Sequence, residues 1–402
     1  MAGVVVIGAG QAAASLVARL RSKGFEGEIT VIGDEPAVPY QRPPLSKAYL
    51  LGEMALDRLY LRPESYYAEQ NITLKTGLRV DGIDRAAKTV LAGDQVIAYD
   101  ELVLCTGSTP RRLPAAIGGD LDGVFEVRTL ADVDAMAPRF SEGARVLIVG
   151  GGYIGLEAAA VACKLGLKVT LVEAADRILQ RVASAQTSAY FRALHTKHGV
   201  DLREGTGLAR LTGDGHVTAA ELADGSRLEV DFVIVGVGIL PASGLAEAAG
   251  IEVDNGIKVN ALGQTSDPHI WAAGDCASFP QGGAQMRLES VGNAIDMGEL
   301  VADNIMGSGA AYVAKPWFWS DQYDIKLQIA GLSTGYDRIV VRDAGDGALS
   351  HWYFTGETLL AIDAMNDSRA YMVGKRLIES GKSPAPEAVG DPATDLKALL
   401  KA

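Results

Sequence analysis

Three cysteines in 402 residues leave little room for sulfur chemistry. Cys105, Cys163 and Cys276 stand far apart, so there is no C-x-x-C pair for zinc or redox exchange. Nor is there a disulfide scaffold for a chain of this length. Positive charge is in deficit: 37 Lys and Arg face 50 Asp and Glu, a net charge of −13. That excludes a global electrostatic grip on nucleic acid. No apolar stretch of about 18 residues runs without a charge or a break, so no membrane-spanning helix is expected. The opening residues lack the basic region of a secretory signal, and a cytoplasmic, reducing setting is the expectation. Of five histidines, only His195 and His198 stand at ligand spacing. They lack a third partner, so no metal site is expected and the pair reads as a solvated helix face.

Glycine, by contrast, is plentiful at 47 residues. It follows no collagen period and forms no linker, so it belongs in turns and at close approaches of backbone to ligand. Val4 to Ile7 is a short apolar run, followed by Gly8-Ala9-Gly10, a helical stretch from Ala12 to Leu20, and a second run from Ile29 to Ile32. This is the strand, turn, helix, strand order of a parallel βαβ unit. The order recurs with a strand from Arg145 to Val149, glycines from Gly150 to Gly155, a helix from Leu156 to Leu165 and a strand from Val169 to Val172. The chain therefore contains a duplicated nucleotide-binding unit. Apolar runs at Glu101 to Cys105, Phe232 to Val237 and His269 to Ala273 each lead into glycine, at Gly107, Gly238 and Gly274. They read as buried parallel strands whose C-terminal ends face a ligand. Beyond residue 315, Trp317-Phe318-Trp319, Leu327 to Gly331, Ile339 to Arg342 and Trp352 to Phe354 read as short antiparallel strands, and Tyr371 to Ser380 as a helix. Pro384 to Pro392 reads as irregular, with Asp395 able to cap a short final helix.

Gly8, Gly10 and Ala13 fill G-x-G-x-x-A. The first permits the tight turn, the second lets a pyrophosphate approach the backbone, and the small third residue lets helix and strand pack. Asp34, ending the second strand, can accept ribose hydroxyls. Gly150, Gly152 and Gly155 fill G-x-G-x-x-G, with Tyr153 and Ile154 between them and Glu157 on the following helix. Glu173 ends that unit's second strand, where a carboxylate suits NAD and repels the extra phosphate of NADP. Arg177 is close enough to offer that phosphate a counter-charge; its other reading is a surface ion pair. Two dinucleotides with one hydride between them imply a flavin and a nicotinamide.

Further motifs are Pro39-Tyr40-Gln41-Arg42-Pro43-Pro44-Leu45-Ser46-Lys47, Thr106-Gly107-Ser108-Thr109-Pro110-Arg111, Val127-Arg128-Thr129-Leu130, Ala272-Ala273-Gly274-Asp275-Cys276, Arg287 through Ala294, and Pro316-Trp317-Phe318-Trp319-Ser320-Asp321-Gln322. With these the chain resembles the two-dinucleotide flavoprotein reductases. Among them it is similar to the NADH-dependent ferredoxin reductases of bacterial oxygenase systems. The resemblance covers essentially the whole chain and implies a glutathione-reductase-like α/β fold. An FAD domain would take 1–112 and 246–314, an NAD domain 113–245, and a C-terminal α+β domain 315–402. It implies that Ala12, Asp34, Arg42, Lys47, Val80, Thr106, Gly107, Arg128, Asp275, Val291 and Trp319 attend FAD. Lys47 and Glu157 would pair beside the flavin ring as the catalytic residues.

Disulfide reductases of this fold carry C-x-x-x-x-C on the helix after the second strand. This chain has Pro43 to Lys47 there and no cysteine before Cys105, so thiol relay at that site is excluded. All three cysteines read as small buried hydrophobes. The expected activity carries electrons from NADH through FAD to a 2Fe-2S ferredoxin feeding an oxygenase, by a monomer or weak homodimer. The alternatives are an NADH oxidase or quinone-type reductase, and, in a different class, a nucleotide-sensing flavoprotein. Trp317 and Trp319 are candidates for the electron exit. Lys315, Lys326, Arg338, Arg342, Lys375, Arg376 and Lys382 read either as a docking patch for an acidic partner or as ordinary solvated charge.

Overall fold

The computed structural model describes residues 3–401. Two compact units divide the chain. One comprises the chain up to Arg42, Ala55–Thr109 and Ile239–Pro316; the other comprises Pro43–Met54, Pro110–Gly238 and the chain from Trp317 onward. Among the described residues, no helix is long and apolar enough to cross a membrane.

In the first unit, Val4–Ile7 is four apolar residues in a row, all buried, the pattern of a strand covered on both faces. It sits at the middle of a parallel sheet ordered Ile270–Ala272, Glu101–Leu104, Val4–Ile7, Ile29–Ile32, Ile72–Lys75. Val6 pairs with Val31 on one side and Val103 on the other. The helix Gln11–Ser22 buries Ala12, Ala13, Leu16, Val17 and Leu20, a stripe at helical period. The helix Val291–Ile305 packs across it. A Cβ on Gly298 would lie 2.6 Å from the Ala12 carbonyl oxygen, so the two helices meet backbone to backbone and hold the first glycine turn in place. A small antiparallel sheet of Gly82–Asp84, Thr89–Ala92 and Gln95–Ala98 lies beyond what the sequence pattern suggested.

In the second unit, a parallel sheet runs Asp201–Glu204, Lys168–Glu173, Arg145–Val149, Phe232–Val235, Val124–Phe125. Its helix Tyr153–Lys164 starts earlier than expected, with Gly155 inside it, and is buried without a break from Gly155 to Ala162. Its alanines let it be covered on all sides. One face meets an antiparallel sheet ordered Trp317–Gln322, Ile325–Gly331, Thr358–Met365, Ala348–Thr355, Arg338–Gly345. The helix Ser368–Glu379 backs that sheet through Ala370, Tyr371, Val373 and Leu377. Thr358–Met365 is a strand that the apolar runs did not reveal, and Pro386–Gly390 forms a short helix within the stretch expected to be irregular.

Two expectations are corrected here. Arg342 is not a docking cation. It is 5% exposed, and its guanidinium donates to the carbonyls of Val389 at 3.1 Å, Pro392 at 3.0 Å, Thr394 at 3.0 Å, and Asp391. It ties the tail to the sheet. His195 is not on a solvated face. It is 0% exposed, held between Gln322 and the Tyr323 hydroxyl, and burial pushes its pKa down to about 4.

A second buried cluster joins the helix Ala185–Lys197 to the antiparallel sheet. Asp363 accepts the hydroxyls of Thr187, at 2.7 Å, and Tyr353, while Thr187 Oγ1 lies 2.8 Å from His351 Nδ1. Burial pushes His351 down to about 4 and Asp363 up to about 6. A histidine with a depressed folded pKa stabilises the fold above its unfolded value of about 6.5. That contribution fades as pH falls toward 4, because only the unfolded chain takes up the proton. Asp363 works in the opposite sense, holding between about pH 4 and 6 a proton that the unfolded chain releases. Two groups against one leave a net loss of about 3 kcal/mol between pH 6.5 and 4. Thermal melts across that range should show a falling midpoint, and the double variant His195→Gln, His351→Gln a flatter one. A wild-type midpoint independent of pH would contradict the assignment.

Candidate nucleotide and redox site

The first glycine turn is built by steric exclusion. Gly8 has φ +104°, and a Cβ there would stand 2.1 Å from the Cys105 carbonyl oxygen, so only glycine fits. At Gly10 a Cβ would meet nothing within 4 Å. The helix beginning at Gln11 has no side-chain cap and no acid in its first turn. By contrast, helices starting at Leu130, Ala185, Val291 and Ser368 are capped by Thr129, Ser184, Ser290 and Asp367. Open space at Gly10 beside unclaimed N–H groups is what a pyrophosphate requires, so these residues fit FAD.

The first unit also holds Ala12, Ala13, Asp34, Arg42, Val80, Thr106, Gly107, Asp275 and Val291. Asp34 is exposed at its strand's end. The loop carrying Val80 is held against the same edge, Gly77 N–H donating to Glu35 O and Leu78 N–H to Gly33 O, each at 2.9 Å. Arg42 pairs with Glu35 and lies over the Tyr40 ring at 5.1 Å. Asp275 accepts the Ser108 hydroxyl at 3.0 Å, and Thr106 donates to the Ala242 carbonyl at 2.7 Å. Val291 is the first residue of its helix.

The second turn, in the second unit, repeats the first. Gly150 has φ +109° and a Cβ would lie 2.4 Å from Gly236 O, whereas Gly152 again faces nothing within 4 Å. The helix from Tyr153 is likewise uncapped. Tyr153 packs on Phe318 at 4.8 Å, and Ile154 is exposed. Glu173 accepts the Gly151 N–H at 2.7 Å and the Ala175 N–H at 2.8 Å. A carboxylate has about four acceptor positions, so two remain for ribose hydroxyls. Among the described residues Arg177 makes no surface ion pair. It donates to Ser184 O at 3.1 Å, Gln180 O at 3.3 Å and the Ser188 hydroxyl. Gly238 has φ +105° and is flanked by the exposed side chains of Arg111 and Arg181, neither of which the sequence singled out for this site.

Lys47 and Glu157 lie in the same unit. The turn Pro43–Ser46 delivers Lys47, whose Nζ stands 2.6 Å from Glu157 Oε2 and 3.1 Å from the Pro43 carbonyl. Glu157 is 4% exposed and accepts the hydroxyls of Ser46 at 2.8 Å and Ser320 at 2.7 Å. Burial holds its carboxyl above the usual carboxylate range, against the downward pull of Lys47 and the two serines. With an ammonium and two hydroxyls on it, the group is an anion in a compensated pair. Beside the pair lies a groove of about 940 Å³, lined by Lys47, Glu157, Cys163, Tyr190, His198 and Tyr323 among others.

Arg128 N–H donates to Asp132 at 3.1 Å, at the mouth of the Thr129-capped helix. Trp319 stacks on Trp317 with centroids 5.5 Å apart, and the Lys375 ammonium lies 5.1 Å from the Trp317 ring. Cys105 and Cys276 are buried, Cys163 partly so, and burial raises all three thiols. Among the described residues, no group of three or more His, Cys, Asp or Glu could hold a metal. Ser46, Ser320 and Gln322 lie inside motifs that assign them no role, and nothing local marks His195 as their neighbour.

Comparison with known proteins gives the family. The pyridine nucleotide-disulphide oxidoreductase family matches residues 2–298, and the reductase C-terminal family residues 317–400. A ferredoxin–NAD(P)(+) reductase of a Sphingomonas species is 45% identical, with 99% of this chain and 97% of that protein covered. Putidaredoxin reductase of Pseudomonas putida is 42% identical over the same shares. Among solved structures, the covalent putidaredoxin reductase–putidaredoxin complex matches with TM-score 0.96 at 40% identity, covering 100% of this chain and 98% of that one.

Proposed function

Because the chain belongs to the pyridine nucleotide-disulphide oxidoreductase family, we propose that it carries electrons from NADH through FAD to a 2Fe-2S ferredoxin that feeds an oxygenase. Family membership itself makes it an oxidoreductase that binds FAD and NAD(P)H. The ferredoxin is the finer reading, supported by relatives named for that reaction along the whole chain. The division into an FAD domain at 1–112 and 246–314, an NAD domain at 113–245 and a C-terminal domain at 315–402 belongs to the same proposal. So do a cytoplasmic setting and a monomer or weak homodimer.

The observation that carries the reading is the buried Lys47–Glu157 pair, in a chain with no cysteine before Cys105 to serve a thiol relay. Bound FAD supplies the exchange of a hydride for single electrons. The chain's own work is to orient and to stabilise. The uncapped helices at Gln11 and Tyr153 receive the two pyrophosphates. Glu173 takes the adenosine ribose of NADH, and Arg177, bound to Ser184, Ser188 and Gln180, is not free to welcome the phosphate of NADPH. The Lys47 ammonium stabilises negative charge that gathers on an electron acceptor beside it, with no reorganisation at the moment of transfer. No acid, base or nucleophile is needed for a hydride step.

Docking would have to work at short range, since the chain's −13 repels an acidic partner and screening at physiological salt acts over about 8 Å. Arg342 is spent on the tail, and Arg338 is paired with Glu387 at 2.8 Å. Lys375 lies beside Trp317 and makes only a long contact, 3.8 Å, with Glu379, so it is the cation set nearest the tryptophan pair.

NADH should exceed NADPH at least about tenfold in kcat/KM, or about 1.4 kcal/mol, and Glu173→Gln should narrow that ratio; equal efficiency in the wild type would overturn the NAD assignment. With a 2Fe-2S ferredoxin as acceptor, reduction should be fast and salt-dependent, and Lys375→Glu should raise the KM for ferredoxin while leaving ferricyanide reduction unchanged. Fast oxygen consumption with little ferredoxin reduction would favour the oxidase reading instead.

A further inference from the structure

The hydrogen bonds that hold Glu157 continue well past its first partners. Ser320 donates to Glu157 Oε1 at 2.7 Å and accepts from Gln322 Nε2 at 3.1 Å. Gln322 Oε1 lies 2.8 Å from His195 Nε2, and His195 Nδ1 lies 3.2 Å from the Tyr323 hydroxyl. Ser320, Gln322 and His195 are all fully buried, an unusual place for three polar side chains unless every atom has its role.

Valence fixes those roles. An ionised Glu157 only accepts, so the Ser320 proton points at it. The Ser320 oxygen must then be served by a donor, which the Gln322 NH₂ supplies. An amide oxygen only accepts, so the proton of His195 sits on Nε2. A neutral imidazole then has a bare Nδ1, which accepts from Tyr323. Burial keeps this histidine neutral. The opposite tautomer would flip the Gln322 amide and turn its oxygen toward Ser320. Ser320 would then spend its proton on Gln322, and Glu157 Oε1 would lose a donor inside a buried site.

We propose that His195 is a positioning residue for the Lys47–Glu157 pair. Its Nε2–H tautomer polarises a chain of hydrogen bonds whose donors all face Glu157, keeping that carboxylate charged and the Lys47 ammonium fixed. The proposal rests on the reading that this pair serves the bound flavin. Successive hydrogen bonds reinforce one another in a low-dielectric interior, so a donor three side chains away still acts on the carboxylate. The chain crosses from the helix Ala185–Lys197 to the strand Trp317–Gln322 and on to the helix Tyr153–Lys164.

Selective ¹⁵N-histidine labelling of the FAD-loaded protein reads the tautomer directly. A protonated Nε2 with a bare, hydrogen-bonded Nδ1 on His195 is expected; a protonated Nδ1 overturns the proposal, whatever any variant does. His195→Leu removes the donor, whereas His195→Gln retains one. Mixed with NADH, His195→Leu should bleach the flavin about tenfold more slowly, the loss expected for about one weakened charge-assisted hydrogen bond. Its dissociation constant for NADH should be unchanged, and His195→Gln should stay within about twofold of wild type. Ser320→Ala should match the loss in His195→Leu, and the double variant should add nothing further. A folded, FAD-loaded His195→Leu that reacts at the wild-type rate sinks the proposal. Lys47→Ala separates the two levels: if it is also silent the reading of the pair fails, and if it alone is slow only the role of His195 fails.

Discussion

A carboxylate cannot be buried to the extent of Glu157 without compensation, because desolvating the charge costs several kcal/mol. Three elements meet to supply it: the turn Pro43–Ser46 with Lys47, the helix Tyr153–Lys164, and the strand Trp317–Gln322. This requirement explains an oddity of the chain's division. Pro43–Met54 lies in the second unit, although the chain on either side of it belongs to the first. The segment leaves its sequence neighbours because its lysine and serine are needed on Glu157. The same requirement accounts for the buried serine of Trp-Ser-Asp-Gln, which would otherwise be a poor choice for a strand interior.

Both nucleotide turns obey one steric rule, and they differ in how their acids are used. Gly8 and Gly150 each press against a carbonyl oxygen from a neighbouring strand end, and Gly10 and Gly152 each face open space. In the second turn Glu173 bonds Gly151 N–H and so shapes the loop that it also serves. A substitution at Glu173 therefore acts on the glycine turn as well as on the end of its own strand. Arg177 has been drawn into the same scaffold through Ser184 and Ser188.

What was legible in the sequence follows the range of the interaction concerned. Gly8, Gly10, Gly150 and Gly152 act on atoms close at hand, and strand-turn-helix spacing marks them without any partner known. Lys47 and Glu157, more than a hundred residues apart in sequence, share a site only by virtue of the tertiary fold, and resemblance alone suggested them. Long polar side chains were the least legible. Arg342 and His195 read as solvent-facing because their type and spacing permit it, yet one is enclosed by the carbonyls of the tail and the other by Gln322 and Tyr323. Their partners lie on elements the local pattern cannot pair. Thr358–Met365 contains an apolar run, Leu359 to Ile362, that leads into Asp363 and not into a glycine turn, and Asp363 is buried with the hydroxyls of Thr187 and Tyr353 on it.

The central claim is that the Lys47 ammonium, held by Glu157, speeds electron entry without being needed to hold FAD. Rapid mixing of FAD-loaded Lys47→Ala with NADH, followed at the flavin absorption band, tests it most directly. The account predicts retained FAD and bleaching at least about tenfold slower than in the wild type, the scale of one lost electrostatic stabiliser. Bleaching of Lys47→Ala at the wild-type rate would contradict it.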